Sequence, residues 1–108
     1  MKKAILMTVA ACAAMVMTAS AADVKENWEK SCTKCHGADG KGDTKMGKKL
    51  EIKDFTDAKV QASLKDDAML KAIKEGVRDG DKTRMKAVEG LSDEEMKALV
   101  VYVRAFKK

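Results

Sequence analysis

The chain has 108 residues, enough for one small domain, and its 22 basic and 17 acidic side chains leave a formal net charge of +5. Without the two lysines of a predicted leader the charge falls to +3, and the charges are interleaved along the chain, so they give no argument for nucleic-acid binding. Aromatic residues are scarce (Trp28, Phe55, Tyr102 and Phe106), and domains this small often build a cofactor into the core.

Residues 1–22 have the layout of a secretory signal peptide. Two lysines follow the initial methionine, residues 4–17 are almost wholly apolar, and Ala19-Ser20-Ala21 matches a small-residue cleavage site. The apolar run is shorter than the ~20 residues that a membrane-spanning helix requires. We therefore expect cleavage near Ala21 or Ala22, and a periplasmic mature protein of one domain, residues 23–108, without a membrane span.

Cys12 leaves an alternative for the leader. Val9-Ala10-Ala11-Cys12 resembles a lipoprotein box, which would make a lipid-anchored Cys12 the first residue of the mature protein. Apolar residues continue through Met17, however, so Cys12 lies midway along the apolar run instead of at its end. Ordinary cleavage is therefore favoured over lipid anchoring.

The first predicted helix begins at Asp23, which can act as its cap, and runs to about Lys34. Its apolar stripe has a spacing of four residues. Glycines then interrupt the chain from residue 37 to residue 47, and residues 48–53 are expected to be irregular. The stripe consists of Val24, Trp28 and Cys32.

Two shorter helices are predicted in the middle of the chain. One covers residues 57–64, with Val60 and Leu64 facing inward. The other is capped by Asp66 or Asp67 and ends at Gly76. A polar segment, residues 78–90, follows it. The apolar stripe of the second helix consists of Leu70, Ile73 and Val77.

The last helix has the strongest local signal. Ser92-Asp93-Glu94-Glu95 is a capping box with acidic side chains in the first turn, where they complement the helix dipole. No stretch of the chain alternates like a strand, so the predicted fold is all-α. The apolar positions of the last helix recur at helical spacing: Met96, Leu99, Val100, Val103 and Phe106.

Cys32-Thr33-Lys34-Cys35-His36 has the spacing of a c-type haem attachment site. One turn of backbone can present both sulfurs to the two vinyl groups of a porphyrin, giving two thioether bonds. His36, which is the single histidine of the chain, then lies where the proximal iron ligand is needed. We expect one covalently attached haem c per chain.

Three other interpretations of this motif remain open. A structural zinc site needs about four ligands, and the adjacent Cys35 and His36 cannot easily both bind one ion. A thioredoxin-like dithiol is expected at a helix N-terminus near a βαβ pattern, which is not found here. A plain disulfide is compatible with an exported protein.

The second axial position of the iron has methionine, lysine, water or no ligand as its candidates. Thioether sulfur is a soft ligand that favours reduced iron, which suits an electron carrier. Met69 and Met96 fall in predicted helices and are expected to fill the core. Met46 follows His36 by only ten residues, so we expect it to lie on the proximal side of the haem and not at the distal position. Met85 lies in a segment bracketed by glycines, and we assign it as the distal ligand.

Over essentially the whole mature chain the sequence resembles a small bacterial monohaem cytochrome c of class I. The resemblance implies three to five helices wrapped around one haem, with the first and last helices crossing and Trp28 meeting Leu99 and Tyr102. The residues that carry it are Cys32-Thr33-Lys34-Cys35-His36-Gly37, the glycine-rich loop to Leu50, Met85, Leu91-Ser92-Asp93-Glu94-Glu95 and Leu99-Val100-Val101-Tyr102-Val103.

The chain departs from this family in having no proline. Members usually carry one proline whose carbonyl accepts a hydrogen bond from the proximal imidazole, and another just after the ligand methionine. Lys45 and Lys86 stand in those places. The carbonyl at Lys45 survives the change, but the rigidity of the loops does not. We therefore expect a bond from Met85 to iron that exchanges more easily than usual.

The resemblance implies a monomeric periplasmic electron carrier, not an enzyme, that meets redox partner proteins through the exposed haem edge. Basic residues around the two ligands would steer an acidic partner, or would be ordinary solvated side chains. Two alternatives remain. A haem lacking the Met85 ligand would serve a small-ligand sensor or weak peroxidase, and the chain could instead be the haem subunit of a larger oxidoreductase.

Overall fold

A computed structural model describes residues 21–108. The predicted signal peptide lies outside the described residues except for Ala21 and Ala22, and Cys12 lies outside them as well. The described part forms six helices and one two-stranded hairpin. Their bounds are α1 (Ala21–Ser31), α2 (Thr33–His36), α3 (Lys45–Lys49), α4 (Ala58–Ser63), α5 (Asp66–Glu75), β1 (Val77–Asp79), β2 (Lys82–Met85) and α6 (Asp93–Arg104).

The core lies where α1 packs against α6, which confirms the predicted pairing of the terminal helices. Trp28 and Leu99 have the most deeply buried side chains, at 2% and 1% exposed. The Trp28 ring contacts the Tyr102 ring, with centroids 5.4 Å apart. Phe106, just beyond α6, contacts the same tryptophan at 5.1 Å. The contact between α1 and α6, called the seam below, therefore contains three of the four aromatic residues, Trp28, Tyr102 and Phe106.

The capping box that begins α6 is confirmed. The Glu95 backbone N–H donates to the Ser92 hydroxyl, and the Glu95 carboxylate accepts from the Ser92 N–H. The same carboxylate accepts from the Asn27 side-chain amide of α1 at 3.1 Å. These hydrogen bonds lower the pKa of Glu95, the Ser92 backbone bond most of all. The cap thus also ties the two terminal helices together.

Helix α5 ends at Gly76, as predicted, but its cap and its last apolar position differ from the prediction. The N-cap residue is Lys65, so Asp66 and Asp67 lie within the first turn. Gly76 has a φ of +78° and turns the chain out of the helix. Val77 therefore belongs to β1 and is 41% exposed instead of facing the core.

The hairpin β1–β2 was not predicted from the sequence. Its strands pair antiparallel, with Val77 opposite Met85 and Asp79 opposite Lys82. Every strand residue except Met85 is exposed, so neither face had to carry the alternating apolar pattern by which strands are recognised. The hairpin is small, and the fold remains helical. None of the helices within residues 21–108 is long and apolar enough to cross a membrane.

Candidate functional site

The Cys-Thr-Lys-Cys-His motif lies on one continuous turn at the end of α1. The predicted first helix is broken at Cys32, which separates α1 from α2. Helical hydrogen bonding nevertheless continues across the break. The Cys32 N–H donates to the Trp28 carbonyl and the His36 N–H donates to the Cys32 carbonyl, each at 2.9 Å. The structure thus brings the two cysteines and the histidine together on a single turn of backbone.

Both cysteines are free thiols among the described residues. Cys32 is buried, and Cys35 is half-buried. Burial, reinforced by the charge of Cys35, raises the pKa of the Cys32 thiol to about 11. The attacking thiol of a catalytic dithiol needs the opposite shift, because its thiolate is the nucleophile. Cys32 is therefore unsuited to be the attacking thiol of a thioredoxin-like dithiol.

His36 is half-buried, and its imidazole is neutral. Burial lowers its pKa below the ordinary value. Its Nδ1 atom is buried and has no hydrogen-bond partner in the described part of the chain, so the expected bond to the Lys45 carbonyl is not formed. The ring instead stacks on Phe55, with centroids 4.9 Å apart and planes 21° apart, and meets Trp28 at 5.6 Å. Because Nδ1 is enclosed, Nε2 is the nitrogen left for a metal.

Helix α3, in a region where irregular structure was expected, braces the motif. The Thr44 hydroxyl donates to the Cys35 carbonyl at 2.7 Å and accepts from the Gly47 N–H at 2.8 Å. Gly47 packs so closely that a Cβ atom there would lie 2.5 Å from the Cys35 carbonyl. Gly42 N–H donates to the His36 carbonyl at 2.8 Å. The loop and α3 thus supply hydrogen-bond donors to the backbone carbonyls of Cys35 and His36.

Replacing Thr44 with valine is expected to destabilise the protein by about 1–3 kcal/mol, because the change leaves the Cys35 carbonyl and the Gly47 N–H without their shared partner. Chemical denaturation of the haem-bearing protein measures this loss. Thr83→Val, at an exposed position of β2, is the matched control and should change stability by less than about 0.5 kcal/mol. Equal effects at the two threonines would contradict the bracing role of Thr44.

Met85, the predicted distal ligand, is the last residue of β2 and is half-buried. It packs against the core cluster that includes Cys32. Arg84 anchors the strand, because its guanidinium donates to the Leu50 carbonyl at 3.1 Å, just after α3. Beyond the strand, the Val88 N–H donates to the Ile73 carbonyl at 2.8 Å. A cavity of about 520 Å³ opens beside Met85, lined by Glu75, Arg78, Thr83, Met85, Lys86, Ala87 and Glu89.

Sequence reasoning missed Phe55, which packs on the site, and Gln61, which hydrogen-bonds to the Phe55 carbonyl. Phe55 stacks on His36, but nothing in its local pattern distinguishes it from a core aromatic. Gln61 is 3% exposed, although the helical pattern of α4 placed Val60 and Leu64 inward. The only signal in the sequence was a single glutamine between two apolar residues, Val60 and Ala62. That signal is too weak to identify a buried side-chain amide.

The donor chemistry of the site fits a c-type haem better than a zinc ion. Among residues 21–108 no group of three or more His, Cys, Asp or Glu side chains is placed to hold a metal ion. The motif instead offers two free thiols for two thioether bonds and one neutral imidazole with an enclosed Nδ1. Soft thioether sulfur at Met85 is compatible with the same iron.

Comparisons with known proteins agree with this chemistry. The family model described as "Cytochrome C oxidase, cbb3-type, subunit III" matches residues 19–103. The solved structure named "KustC0563 c-type cytochrome" is 36% identical, with a TM-score of 0.68 over 78% of this chain and 96% of that chain. A tyrosine-to-phenylalanine mutant of Kustc0563 is also 36% identical, with a TM-score of 0.67 over 79% of this chain and 99% of that one.

A search of curated proteins returned no match. The family model nevertheless spans most of the chain, and the match to the solved structures covers nearly the whole length of those proteins. The helical fold and the thiol and imidazole donors described above are those expected of such proteins. The chain therefore belongs to the family of this model and is a small c-type cytochrome.

Proposed function

We propose that the protein is a periplasmic single-electron carrier with one haem c. Cys32 and Cys35 hold the haem through thioether bonds, His36 is the proximal ligand and Met85 the distal ligand. The observation that carries this proposal is the continuous turn on which two free thiols and a neutral imidazole lie together. Membership in a family of c-type cytochromes supports haem-based electron transfer.

The bound haem supplies a one-electron couple at its iron. The chain's own residues hold the group, exclude water and set the relative stability of the two oxidation states. Trp28, which is almost fully buried and contacts the His36 ring, shields the proximal side from water. The soft sulfur of Met85 favours the reduced state. No substrate pocket is required for this function.

The surroundings of Met85 argue against peroxidase activity. A histidine and arginine acid–base pair beside the iron would need a free histidine, and the single histidine is already the proposed proximal ligand. Arg78 lines the cavity beside Met85 but has no histidine to pair with. The adjacent Arg84 is engaged elsewhere, because it donates to the Leu50 carbonyl at 3.1 Å and lies 3.6 Å from the Asp79 carboxylate. The electron carrier is therefore favoured over the sensor or weak peroxidase.

Redox partners are proposed to dock on a basic surface formed by α3 and β2, which the hydrogen bond from Arg84 to the Leu50 carbonyl joins. This bond places the basic strand β2 next to the end of the basic helix α3. An acidic partner would be steered there, with an association rate that falls as salt is added. The basic surface consists of Lys45, Lys48, Lys49, Lys82, Arg84 and Lys86.

The periplasmic location rests on the predicted signal peptide. We propose that residues 1–22 are removed and that the mature domain is residues 23–108. The mass of the mature N-terminus separates cleavage near Ala21 or Ala22 from lipid anchoring at Cys12.

Purification of the exported protein from cells that attach haem tests the proposal. We expect a red protein with one haem per chain that acidic acetone does not extract, and a pyridine haemochrome spectrum of a thioether-linked haem. Replacing both Cys32 and Cys35 with serine should abolish covalent attachment, because no thioether donor is left. Cys35→Ser alone should keep one thioether and give the haemochrome spectrum of a singly attached haem, whereas Cys12→Ser, outside the motif, should change neither. A colourless wild-type protein, or a pigment that washes out, contradicts the proposal.

The haem subunit of a larger oxidoreductase is a second candidate function, favoured by the family description, which names an oxidase subunit. The two candidates differ in the state of the protein in its own cells. A carrier is released with the periplasmic fraction as a monomer. A subunit co-purifies with an oxidoreductase complex at the mass of that complex.

A further inference from the structure

The orientation of the His36 ring needs a physical cause. A ligating histidine is normally held by a hydrogen bond from its other ring nitrogen, and that bond also makes the imidazole more basic. Here Nδ1 is buried without a partner among the described residues. The ring is contacted instead by Phe55, 4.9 Å away and only 21° from parallel, and by Trp28, which is farther away at 5.6 Å and tilted by 37°.

The backbone of Phe55 is held on both sides. Its N–H donates to the Gly40 carbonyl at 2.9 Å, in the loop that follows the haem-binding motif. Its carbonyl accepts from the Gln61 side-chain amide at 2.7 Å. The backbone from which the phenyl ring projects is therefore fixed relative to both the motif and α4.

Gln61 is buried with its amide fully used. The amide nitrogen donates to the Phe55 carbonyl and, at 2.8 Å, to the Val103 carbonyl of α6. The amide oxygen accepts from Arg104 at 3.2 Å. With two carbonyls on one side and a guanidinium on the other, only this orientation of the amide satisfies every partner.

Arg104 in turn fixes Gln61. Its guanidinium donates to the Gln61 backbone carbonyl and to the Leu64 carbonyl, each at 2.6 Å. It also pairs with the Asp66 carboxylate at 2.9 Å. The chain of contacts thus runs from α6 through a buried amide to the ring that stacks on His36.

We propose that Phe55 and Gln61 are positioning residues for the proximal imidazole. Phe55 orients the ring and keeps Nδ1–H away from water, and Gln61 holds Phe55 in place. An Nδ1–H without an acceptor leaves the imidazole less basic, so the oxidised iron is stabilised less and the reduced state is favoured. This inference rests on His36 being the proximal ligand in the proposed function.

Phe55→Leu and Phe106→Leu form a matched pair for the test. Both phenylalanines are half-buried against the same core, but the ring contacts of Phe106 are with Trp28 and Tyr102. We expect Phe55→Leu to lower the reduced-to-oxidised ratio at a fixed ambient potential at least threefold, about 28 mV for a one-electron couple. Phe106→Leu should leave the ratio within about 1.5-fold, and Phe55→Tyr, which keeps the ring, should match wild type.

A second measurement needs no substitution. The chain has one histidine, so ¹⁵N-histidine labelling gives an unambiguous Nδ1–H signal in the reduced, haem-bearing protein. We expect slow solvent exchange together with the chemical shift of a proton that is not hydrogen-bonded. In Phe55→Leu and Gln61→Met the exchange should be at least tenfold faster.

Two outcomes would overturn the inference while the haem remains attached. One is an equal change in potential for Phe55→Leu and Phe106→Leu. The other is a wild-type Nδ1–H shift typical of a strong hydrogen bond to a carbonyl. Absence of covalent haem from the wild-type protein is a different result, because it removes the proposed function itself.

Discussion

Replacement of Met85 by alanine is expected to make the reduced, haem-bearing protein bind carbon monoxide, which the wild-type protein is expected to refuse. If Met85 is the distal ligand, as proposed, the variant leaves that position without its thioether and a small ligand can enter. The reduction potential should also fall, because soft sulfur favours the reduced state. Visible spectra under carbon monoxide and a redox titration measure both effects.

Met96→Ala is the matched control for this prediction. Met96 is a methionine of α6 with 5% of its surface exposed, and it belongs to the core cluster. Its loss should cost about 2–5 kcal/mol of stability without opening the iron to carbon monoxide. Ready binding by the wild-type protein would show that Met85 is not the ligand and would favour the sensor or weak peroxidase.

The hairpin supplies a restraint on Met85 that proline would otherwise provide. Backbone pairing with Val77 restrains the end of β2, where a loop would otherwise depend on proline for rigidity. Gly76 lies close behind, since a Cβ atom there would be 2.6 Å from the Met85 carbonyl. The expected ease of ligand exchange therefore depends on how readily the hairpin opens.

Replacement of Trp28 by alanine is expected to cost about 3–5 kcal/mol of stability. Trp28 is 2% exposed, its ring contacts His36, Tyr102 and Phe106, and its indole N–H donates to the Gly37 carbonyl at 3.1 Å. The midpoint of thermal unfolding should fall by about 4–8 °C for each kcal/mol lost in a domain of this size. Denaturation of the haem-bearing protein measures the change.

Two further substitutions separate the contributions of Trp28. Trp28→Phe keeps an aromatic ring but removes the indole donor, and the Gly37 carbonyl then keeps only the bond from the Gly40 N–H at 3.3 Å. Loss of this hydrogen bond is expected to cost about 0.5–1.5 kcal/mol. Val101→Ala, at a position 68% exposed on α6, should stay within about 0.5 kcal/mol of wild type. A loss for Trp28→Ala no larger than that for Val101→Ala would contradict the role of the tryptophan in the seam.

The sequence by itself determined the features whose physics is local. A capping box joins residues three apart, and the Ser92–Glu95 pair formed as predicted. The apolar spacing of α6 identified Leu99 and Val103 as core residues, and both are buried. The Cys-Thr-Lys-Cys-His motif is local in the same sense, because its spacing places three donors on a single turn of backbone. Such contacts depend little on the rest of the chain.

Only the tertiary structure decided the features that depend on partners far along the chain. The acceptor of the Gln61 amide lies 42 residues away on α6, and Arg84 reaches a carbonyl 34 residues away. The hairpin carries no buried face and so left no periodic pattern to read. Whether His36 finds a carbonyl or a phenyl ring is likewise decided by how the loop folds back over it. Side-chain patterns report which residues are apolar, but hydrogen-bond partners between distant segments exist only once the chain has packed.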